Sequence, residues 1–354
     1  MKCLISNLML LFLTPAAVAG DFVYISIAGE NRIAIYSQNI DDGSLTKVGD
    51  AKLEGAPGSL CVDPKRQVLF ASVRSKGQIA SFRINPRSGK LTAINAVSAG
   101  GNSAYVLTDN SGRYLLSAYY GEGKISVHGV NADGRIEDAA IQSVVTDRNA
   151  HAVRLDASNR FVFVPHTGPN AIFQFVLDAK TGKLTANDPP KVVAPAGAGP
   201  RHIWFHPKLD MAYTSNEKGS SVTAYQFDKS SGRLTAIQTL STLPEGFSDR
   251  NTTADVEVTP SGRFVYVSNR GHDSIAGFAI GTEKGGLTSI GQFATEKTPR
   301  SFNIDPAGKF LYAAGQKTTK LAAYRIDTDT GVLTRFATYE VGPRPSWVQV
   351  VTTR

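Results

Sequence analysis

Cysteine is nearly absent from this chain, which has only Cys3 and Cys61 among 354 residues. Cys3 lies in a leader segment that we expect to be removed, and the one remaining thiol cannot form an internal disulfide. Burial and strand pairing must therefore hold the fold together. Cys61 lies in a predicted inner strand, where a buried structural thiol is favoured over a catalytic nucleophile.

Long apolar runs are also missing. The most apolar stretch, residues 4–13, is too short to span a bilayer; it follows Lys2 and precedes the small-residue sequence AVA at 17–19. This order is typical of a secretory signal peptide. We predict a signal peptide over residues 1–19, with a membrane anchor as the alternative. The mature protein is then periplasmic or secreted, with no membrane span.

Neither helical periodicity nor clustered basic charge is present. Apolar residues form no convincing 3.6-residue stripe, which argues against a helical repeat. The net charge is +8, from 38 Lys and Arg against 30 Asp and Glu, but the basic residues are scattered through repeat turns such as Gly89-Lys90. Because no basic cluster is interleaved with aromatic residues, we expect no nucleic-acid partner.

Motifs for metal, nucleotide or serine-nucleophile chemistry are likewise missing. The patterns H-E-x-x-H, G-x-x-x-x-G-K-[ST] and G-x-S-x-G do not occur. His202 and His206 are four residues apart, which on a strand separates them by roughly 13 Å, too far to share an ion. We therefore expect no metal and no other cofactor.

What the chain does contain is a repeat. Residues 259–280, TPSGRFVYVSNRGHDSIAGFAI, indicate a tight turn, a strand, a loop and a second strand. Equivalent turns open at residues 63, 109, 156, 206, 259 and 305, at spacings of 46, 47, 50, 53 and 46 residues. A period of about 40 to 50 residues with several short strands is typical of a β-propeller.

The two ends of the chain complete the count of blades. The N-terminal segment begins in the middle of a unit, and the C-terminal SWVQVV matches the missing inner strand, as in SLCVDP or SFNIDP. Six complete units and one shared unit make seven. We predict an all-β, seven-bladed β-propeller as a single domain over residues 20–354. Its ring is closed by the C-terminal strand joining the N-terminal blade.

Strand direction then places many polar residues on one face of the ring. Residues just before an inner strand and residues just after the antiparallel second strand lie at the same end. This set consists of Asn102, Tyr119, Tyr120, His151, His166, Arg201, His202, Asn216, Glu217, Asn269, Arg270, Arg300 and Gln316. Three arginines, a glutamate and several histidines near the axis of a rigid scaffold predict a functional site.

These residues also have structural interpretations. Arg201 and Arg300 could tie adjacent blades together, and Glu217 could simply pair with one of them. His151 could be a hydrogen-bonded residue at a strand end, and a structural role is favoured for His202. Asparagines that follow second strands, such as Asn269, are expected to cap loops through backbone hydrogen bonds.

Three runs carry a family resemblance: GPRHIWFHPKLDMAYTSNEKGSSVTAY, FVYVSNRGHDSIAGFAI and TPRSFNIDPAGKFLYAAGQ. They resemble the seven-bladed β-propeller lactonase family, which contains the propeller type of 6-phosphogluconolactonase and the fungal carboxy-muconate lactonizing enzyme. The resemblance implies a catalytic cluster of His151, Arg201, Glu217 and Arg270. We add, as predicted substrate-binding residues of the same face, Arg300, His202, Asn269 and Gln316.

The chain also departs from the family pattern. Ala118 precedes the Tyr-Gly of the second unit where the family usually has Asn, His166-Thr167-Gly168 replaces a sequence such as Asp-Leu-Gly, and Gly315 precedes Gln316. The signal peptide is a larger departure, because an exported enzyme would not meet a 6-phosphogluconolactone made in the cytoplasm. We therefore expect lactone chemistry more firmly than that substrate.

The resulting expectation is a metal-independent lactonase, 6-phosphogluconolactonase-like and exported, that acts as a monomer on a small anionic lactone or sugar acid. Either His151 or Glu217 would be the general base, and Arg201 and Arg270 would stabilise the oxyanion or bind a substrate anion. One alternative is a non-catalytic propeller that binds a ligand or protein in the cell envelope. Another is a cycloisomerase acting on a muconate-type diacid.

Overall fold

The computed structural model describes residues 20–353, so the predicted signal peptide and Cys3 lie outside the described residues. Within this range 28 strands form seven four-stranded sheets. The prediction of an all-β, seven-bladed propeller is confirmed. No helix in residues 20–353 has the length and apolar character needed to cross a membrane.

The strands have the following bounds. The first seven are β1 (Asp21–Ile27), β2 (Arg32–Gln38), β3 (Leu45–Lys52), β4 (Pro57–Val62), β5 (Val68–Val73), β6 (Gln78–Ile84) and β7 (Leu91–Ser98). The next eight are β8 (Ser103–Thr108), β9 (Tyr114–Tyr119), β10 (Lys124–Val130), β11 (Ile136–Val145), β12 (Arg154–Leu155), β13 (Phe161–His166), β14 (Ala171–Leu177) and β15 (Leu184–Val193). Then follow β16 (Pro200–Phe205), β17 (Met211–Asn216), β18 (Ser221–Asp228), β19 (Arg233–Ser241), β20 (Thr252–Val258), β21 (Phe264–Arg270) and β22 (Ser274–Ile280). The last six are β23 (Leu287–Ala294), β24 (Pro299–Ile304), β25 (Phe310–Gly315), β26 (Lys320–Ile326), β27 (Leu333–Glu340) and β28 (Pro345–Thr352). A short 3-10 helix, Arg74–Lys76, follows β5.

The ring is closed by strand exchange between the chain ends. β28 pairs antiparallel with β1, from Asp21 opposite Thr352 to Ser26 opposite Trp347, and becomes the inner strand of the first blade. This is the predicted closure. It leaves the first blade with four strands, like the other six, and gives the inner edge of β1 a hydrogen-bonded partner.

Burial decreases from the axis outward, as the sequence pattern requires. The second strand of a blade is covered on both faces by neighbouring blades, so β5, β9 and β25 are buried at every residue and are largely apolar. The outermost strand borders solvent, and most residues of β7 are exposed or half-buried. Cys61 is a free, buried thiol of inner strand β4, and burial raises its pKa to about 12, which suits a structural residue.

Neighbouring blades are tied together by a repeated tyrosine. The Tyr213 hydroxyl donates a 2.9 Å hydrogen bond to the Gly285 carbonyl of the next blade, and Tyr266 bonds Gly331 in the same way at 2.7 Å. Gly331 has a φ of +75°, and a Cβ there would lie 2.5 Å from the Phe264 ring. The glycines of the G-x-L-T turns are therefore needed both for their backbone conformation and for close approach.

Bulges recur at the end of the inner strands that leads into the predicted site. In six inner strands the pairing register shifts at this point, so one or two residues of the inner strand have no partner opposite them on the second strand. The skipped residues are Gly58-Ser59, Ala104, Arg201, Ala254-Asp255, Arg300 and Ser346. A bulge redirects side chains, so these positions can face the axis even though strict alternation would divide them between two faces.

Candidate functional site

Two arginines hold one carboxylate on the predicted face. Arg201, the bulge residue of β16, is fully buried, and its Nε lies 3.2 Å from Glu217 Oε2. Arg270, at the end of β21, places Nη2 3.3 Å from Glu217 Oε1 and donates a 3.0 Å hydrogen bond to the Thr253 carbonyl. The Glu217 side chain keeps 21% of its surface exposed, so it borders solvent, although its Oε2 is buried between the arginines.

This cluster leaves hydrogen-bonding capacity unused. Four polar atoms have no hydrogen-bond partner of good geometry among the described residues, although the ion pairs bring oppositely charged groups within 3.2 and 3.3 Å. These atoms are Arg201 Nε, Arg201 Nη2, Glu217 Oε2 and Arg270 Nε. Buried polar atoms are normally satisfied, and exceptions often occur at functional sites. The unsatisfied atoms of Arg201, Glu217 and Arg270 are therefore available to a ligand that enters between them.

His202 positions Arg201 through a buried chain of contacts. Its Nε2 lies 3.2 Å from Arg201 Nη1, and its Nδ1 lies 2.7 Å from Asp255 Oδ1. Because the guanidinium can only donate, Nε2 must accept, and the ring proton is assigned to Nδ1, which donates to Asp255. The resulting order is Asp255, His202, Arg201, Glu217, Arg270.

The protonation states along this chain of contacts follow from burial and from the neighbouring charges. Burial and the neighbouring Arg201 lower the pKa of His202 to about 4, so its ring is neutral at pH 7. Burial would raise the pKa of Asp255, but the His202 ring and Arg201 outweigh it, so the net pKa lies below the ordinary value and the carboxyl is ionised. Asp255 is therefore a buried anion that offsets part of the positive charge of the arginines.

His151 lies beside this chain with a free ring nitrogen. Its ring centroid is 5.1 Å from that of His202 and 5.5 Å from that of Tyr120, which packs edge-on. Among described residues, Nδ1 has no hydrogen-bond partner, so the ring is not fully satisfied structurally. Burial, followed by the charge of Arg201, holds the pKa of His151 well below its ordinary value. The ring is thus a neutral base or hydrogen-bonding group.

Three aromatic rings from non-adjacent blades form a floor under the cluster. Tyr105 of β8, His202 of β16 and Trp347 of β28 meet at the axis, with centroid separations of 5.2, 5.3 and 5.9 Å. Tyr105 packs edge-on against both partners. Below this aromatic floor lies a separate small cavity of about 160 Å³, lined in part by Asp255 and Glu257. Burial and the nearby Asp255 raise the pKa of Glu257 to about 8.

The other predicted residues divide into two groups. Arg300 and Gln316 line a cavity beside the cluster on the same face. Asn269 is fully buried and donates hydrogen bonds to the Thr242 carbonyl and to Ser274 Oγ, which is the loop-capping arrangement. His166 is satisfied at both ring nitrogens, by the Val164 carbonyl and Thr146 Oγ1 at 2.8 Å each. The polar atoms of Asn269 and His166 are therefore engaged within the protein, unlike those of Arg201, Glu217 and Arg270.

Sequence reasoning missed several residues of this face. Asp255 and Glu257 are two acidic residues between the apolar residues of the inner strand segment ADVEV, and that contrast was a usable signal. Arg74 directly follows second strand β5, so the rule that identified Glu217 would also have found it. Tyr105 and Trp347 lie inside apolar inner strands, where nothing in the sequence separates a floor residue from a core residue.

The neutral state of His202 predicts a pH dependence of stability. An unfolded His202 binds a proton below pH 6.5, whereas the folded residue binds one only near pH 4. Stability is thus fully present above pH 6.5 and is lost as the pH falls toward 4. The expected decrease in the free energy of unfolding from this residue is about 3 kcal/mol.

Urea denaturation of the wild type and His202→Gln between pH 7 and pH 4 measures this effect. Glutamine keeps a donor for Asp255 and an acceptor for Arg201 but does not titrate, so its stability should fall less on acidification. Equal acid sensitivity of the two proteins would show that His202 is not held neutral.

A family model described as "Lactonase, 7-bladed beta-propeller" matches residues 16–96 and 41–350 of this chain. The chain is 37% identical over 329 residues to a 6-phosphogluconolactonase of Pectobacterium carotovorum, covering 93% of this chain and 98% of the relative. It is 36% identical, with the same coverage, to the 6-phosphogluconolactonase of Pectobacterium atrosepticum.

Solved structures have the same architecture. The periplasmic gluconolactonase of Pseudomonas aeruginosa superposes with a TM-score of 0.88 at 26% identity, covering 95% of this chain and all of that one. A crystal structure from Bacteroides fragilis, described as a putative 6-phosphogluconolactonase, superposes with a TM-score of 0.86 at 24% identity, covering 96% and 99% of the two chains. At that identity the second likeness shows the fold alone.

Proposed function

Because the chain belongs to the seven-bladed β-propeller lactonase family, we propose that it hydrolyses the lactone of a sugar acid. The reaction proceeds without a metal ion, in an exported protein. The observation that carries the proposal is the partly exposed Glu217 side chain, whose carboxylate is held between Arg201 and Arg270, together with the unpartnered Nδ1 of the neighbouring His151. A general base and two fixed cations are what lactone opening requires.

The residues divide the chemistry as follows. Glu217 takes a proton from water, whose oxygen bonds to the lactone carbonyl carbon and converts the carbonyl oxygen into an oxyanion. Arg201 and Arg270 stabilise that charge, since each has an unused guanidinium N–H. When the oxyanion collapses, the ring C–O bond breaks and its oxygen takes up the proton, which leaves a hydroxy acid. We assign the base to Glu217 rather than His151 because the Glu217 side chain is 21% exposed, whereas His151 is 4% exposed.

The charge of the site favours an anionic substrate. Arg201, Arg270 and Arg300 stand against Glu217 and Asp255, which leaves an excess of positive charge. Two further observations support export: the signal-like sequence of residues 1–19 and the description of the Pseudomonas aeruginosa structure as a periplasmic gluconolactonase. Both are compatible with a lactone that does not originate in the cytoplasm.

The experiment is a pH-stat assay of the purified mature protein on a lactone panel, with and without a chelator. The panel contains gluconolactone, its 6-phosphate, other aldonolactones and a muconolactone-type compound. We expect acid release that survives the chelator and falls at least 10-fold in both Glu217→Gln and Arg270→Ala. Wild-type turnover in both variants would refute the assignment, and a folded protein without turnover would favour the ligand-binding alternative. Product analysis separates hydrolysis from cycloisomerisation.

A further inference from the structure

The half of the central channel below the aromatic floor takes no part in the proposed reaction. It contains the cavity of about 160 Å³ with Asp255 and Glu257 in its wall, which we call the lower chamber. The lower chamber shares Val62, Leu107 and Arg154 with a second cavity of about 500 Å³. That second cavity lies among the turns that join inner strands to second strands, on the face opposite the arginine cluster. A ligand can therefore reach the lower chamber without passing the aromatic floor.

Two acidic side chains of one inner strand face the lower chamber. Asp255 and Glu257 lie two residues apart on β20, and each is 5% exposed. Glu257 is fixed by two donors, because Asn303 Nδ2 donates to Oε1 at 2.6 Å and Ile304 N donates to Oε2 at 3.0 Å. Within residues 20–353, no lysine, arginine or histidine forms an ion pair with Glu257. Two buried carboxylates this close stabilise a cation placed beside them.

Aromatic rings form much of the remaining wall. Those that line the lower chamber belong to Tyr105, Trp204, Phe302 and Trp347. The Tyr105 side chain is 7% exposed, and its hydroxyl has no hydrogen-bond partner among the residues that the structure describes. Burial raises the pKa of Tyr105 to about 12, and the charges of Arg154, Asp255 and Glu257 also act on it, so the hydroxyl lies on the chamber side. Aromatic faces combined with carboxylates are typical surroundings of a bound ammonium group.

Arg154 is a cation without a counter-ion at the entrance to the lower chamber. Its guanidinium carbon lies 3.6 Å from the centroid of the Trp204 ring. No hydrogen bond or ion pair of this guanidinium occurs within the described part of the chain. Stacking on Trp204 fixes the plane of the group and leaves its N–H donors free at the edge, where they can bind a carboxylate. Because Arg154 and both acidic residues line the same small cavity, one small molecule can reach all three.

We propose that the lower chamber binds a small zwitterion, such as an α-amino acid. Its ammonium group lies beside Asp255 and Glu257, and its carboxylate lies on the guanidinium of Arg154. A volume of about 160 Å³ accommodates the charged groups, and a longer side chain extends into the cavity of about 500 Å³. The site is on the other side of the aromatic floor from the Arg201–Glu217–Arg270 cluster, and the inference does not depend on the proposed function.

Binding of an ammonium group should release a proton. The pKa of Glu257, raised to about 8, keeps most of this carboxyl protonated at pH 7 in the empty protein. A neighbouring cation favours the ionised form, so the affinity should rise about 10-fold from pH 6 to pH 7 and level off above pH 8. The other groups that face the chamber do not titrate in this range: Asp255 is ionised, Tyr105 and Cys61 have pKa values raised to about 12, and the Arg154 guanidinium stays protonated.

The test is calorimetric titration at pH 6, 7 and 8, in two buffers of different ionisation enthalpy. The probes are glycine and L-alanine as zwitterions, ethylamine as an ammonium alone and acetate as a carboxylate alone. Glu257→Gln and Arg154→Gln are compared with Glu340→Gln and Arg87→Gln, which replace exposed residues outside the chamber. Both tryptophans of the chain line the chamber, so tryptophan fluorescence gives a second measure of binding, and thermal melts check each fold.

We expect the zwitterions to bind at least 10-fold more tightly than ethylamine or acetate, with release of about one proton per ligand at pH 7. At pH 8, Glu257→Gln should weaken glycine binding at least 10-fold and end the proton release. Arg154→Gln should reduce glycine affinity to that of ethylamine, and both control variants should match the wild type.

Three results would overturn the proposal: no heat and no fluorescence change with glycine, alanine or ethylamine; zwitterion binding that neither Glu257→Gln nor Arg154→Gln weakens; or acetate binding more tightly than glycine, which would identify an anion site instead. If Glu257→Gln does not fold, Arg154→Gln and the proton release of the wild type decide the question.

Discussion

Replacement of Glu217 by glutamine is expected to lower kcat/KM for the preferred lactone about 10²- to 10⁴-fold, the range for loss of a general base. The amide has nearly the same shape, but it cannot take a proton from water and no longer carries the charge that Arg201 and Arg270 share. A readout beyond activity is available, because formate added to Glu217→Ala should restore part of the rate if the carboxylate is the base.

Two controls make the Glu217 result interpretable. Arg201 is fully buried and would lose its nearest solvent-facing anion, so thermal unfolding of each variant must show that the fold survives. Glu340→Gln is the matched variant, since Glu340 is an exposed glutamate of the outer strand β27. If Glu217→Gln kept turnover within about threefold of the wild type while His151→Gln lost it, the base would be His151.

Deletion of residues 345–354 is expected to abolish cooperative folding of the ring. The deletion removes the inner strand of the first blade, with Trp347, Val348, Val350 and Val351, each 8% exposed or less. At about 1.5–3 kcal/mol for each buried side chain, the loss is roughly 6 to 12 kcal/mol. That is comparable to the whole stability of a typical domain, about 5–15 kcal/mol, and it also exposes the edge of β1.

Circular dichroism melts and size-exclusion chromatography check this prediction. Val348→Ala tests the same strand without removing it and should lower the free energy of unfolding by about 0.5–3 kcal/mol. The exposed valine of outer strand β11 is the control, so Val145→Ala should have little effect. A truncated chain that melts cooperatively at the wild-type temperature would mean that the strand exchange is dispensable.

The sequence predicted the fold and much of the candidate site for one physical reason. The repeat predicts the order of the strands in each blade and their antiparallel directions. Those directions decide which strand ends lie on the same face of the ring. This argument places Glu217 after β17, Arg270 at the end of β21 and Arg201 near the start of β16, all on one face. The same argument predicted that the C-terminal strand would close the ring.

The bulges could not be predicted in this way. Alternation along a strand would send Arg201 and His202 to opposite faces, yet both lie in the centre of the site, because the pairing register skips Arg201. Asp255 is in the same situation, since its strand skips two residues against one on β21. A period-two sequence pattern gives no sign of an extra unpaired residue. The series of side-chain contacts that runs from Asp255 through His202, Arg201 and Glu217 to Arg270 is therefore visible only in the structure.

Contacts across the ring were also beyond the sequence. Tyr105 and Trp347 belong to strands about 240 residues apart, and their approach depends on how seven blades tilt around an axis. Arg74 and Arg300 approach one another for the same reason. The repeat predicts which residues belong to each blade, but the distances between residues of different blades depend on how the blades close into a ring.

The aromatic floor determines how a ligand can enter and leave the site. A propeller has a hole along its axis, and an open hole would let a ligand enter at one end and leave at the other. With Tyr105, His202 and Trp347 packed together across that hole, the site has a single opening. A polymer therefore cannot be threaded through the ring. Substrate enters and product leaves through the same opening, so product must leave before the next substrate molecule can bind.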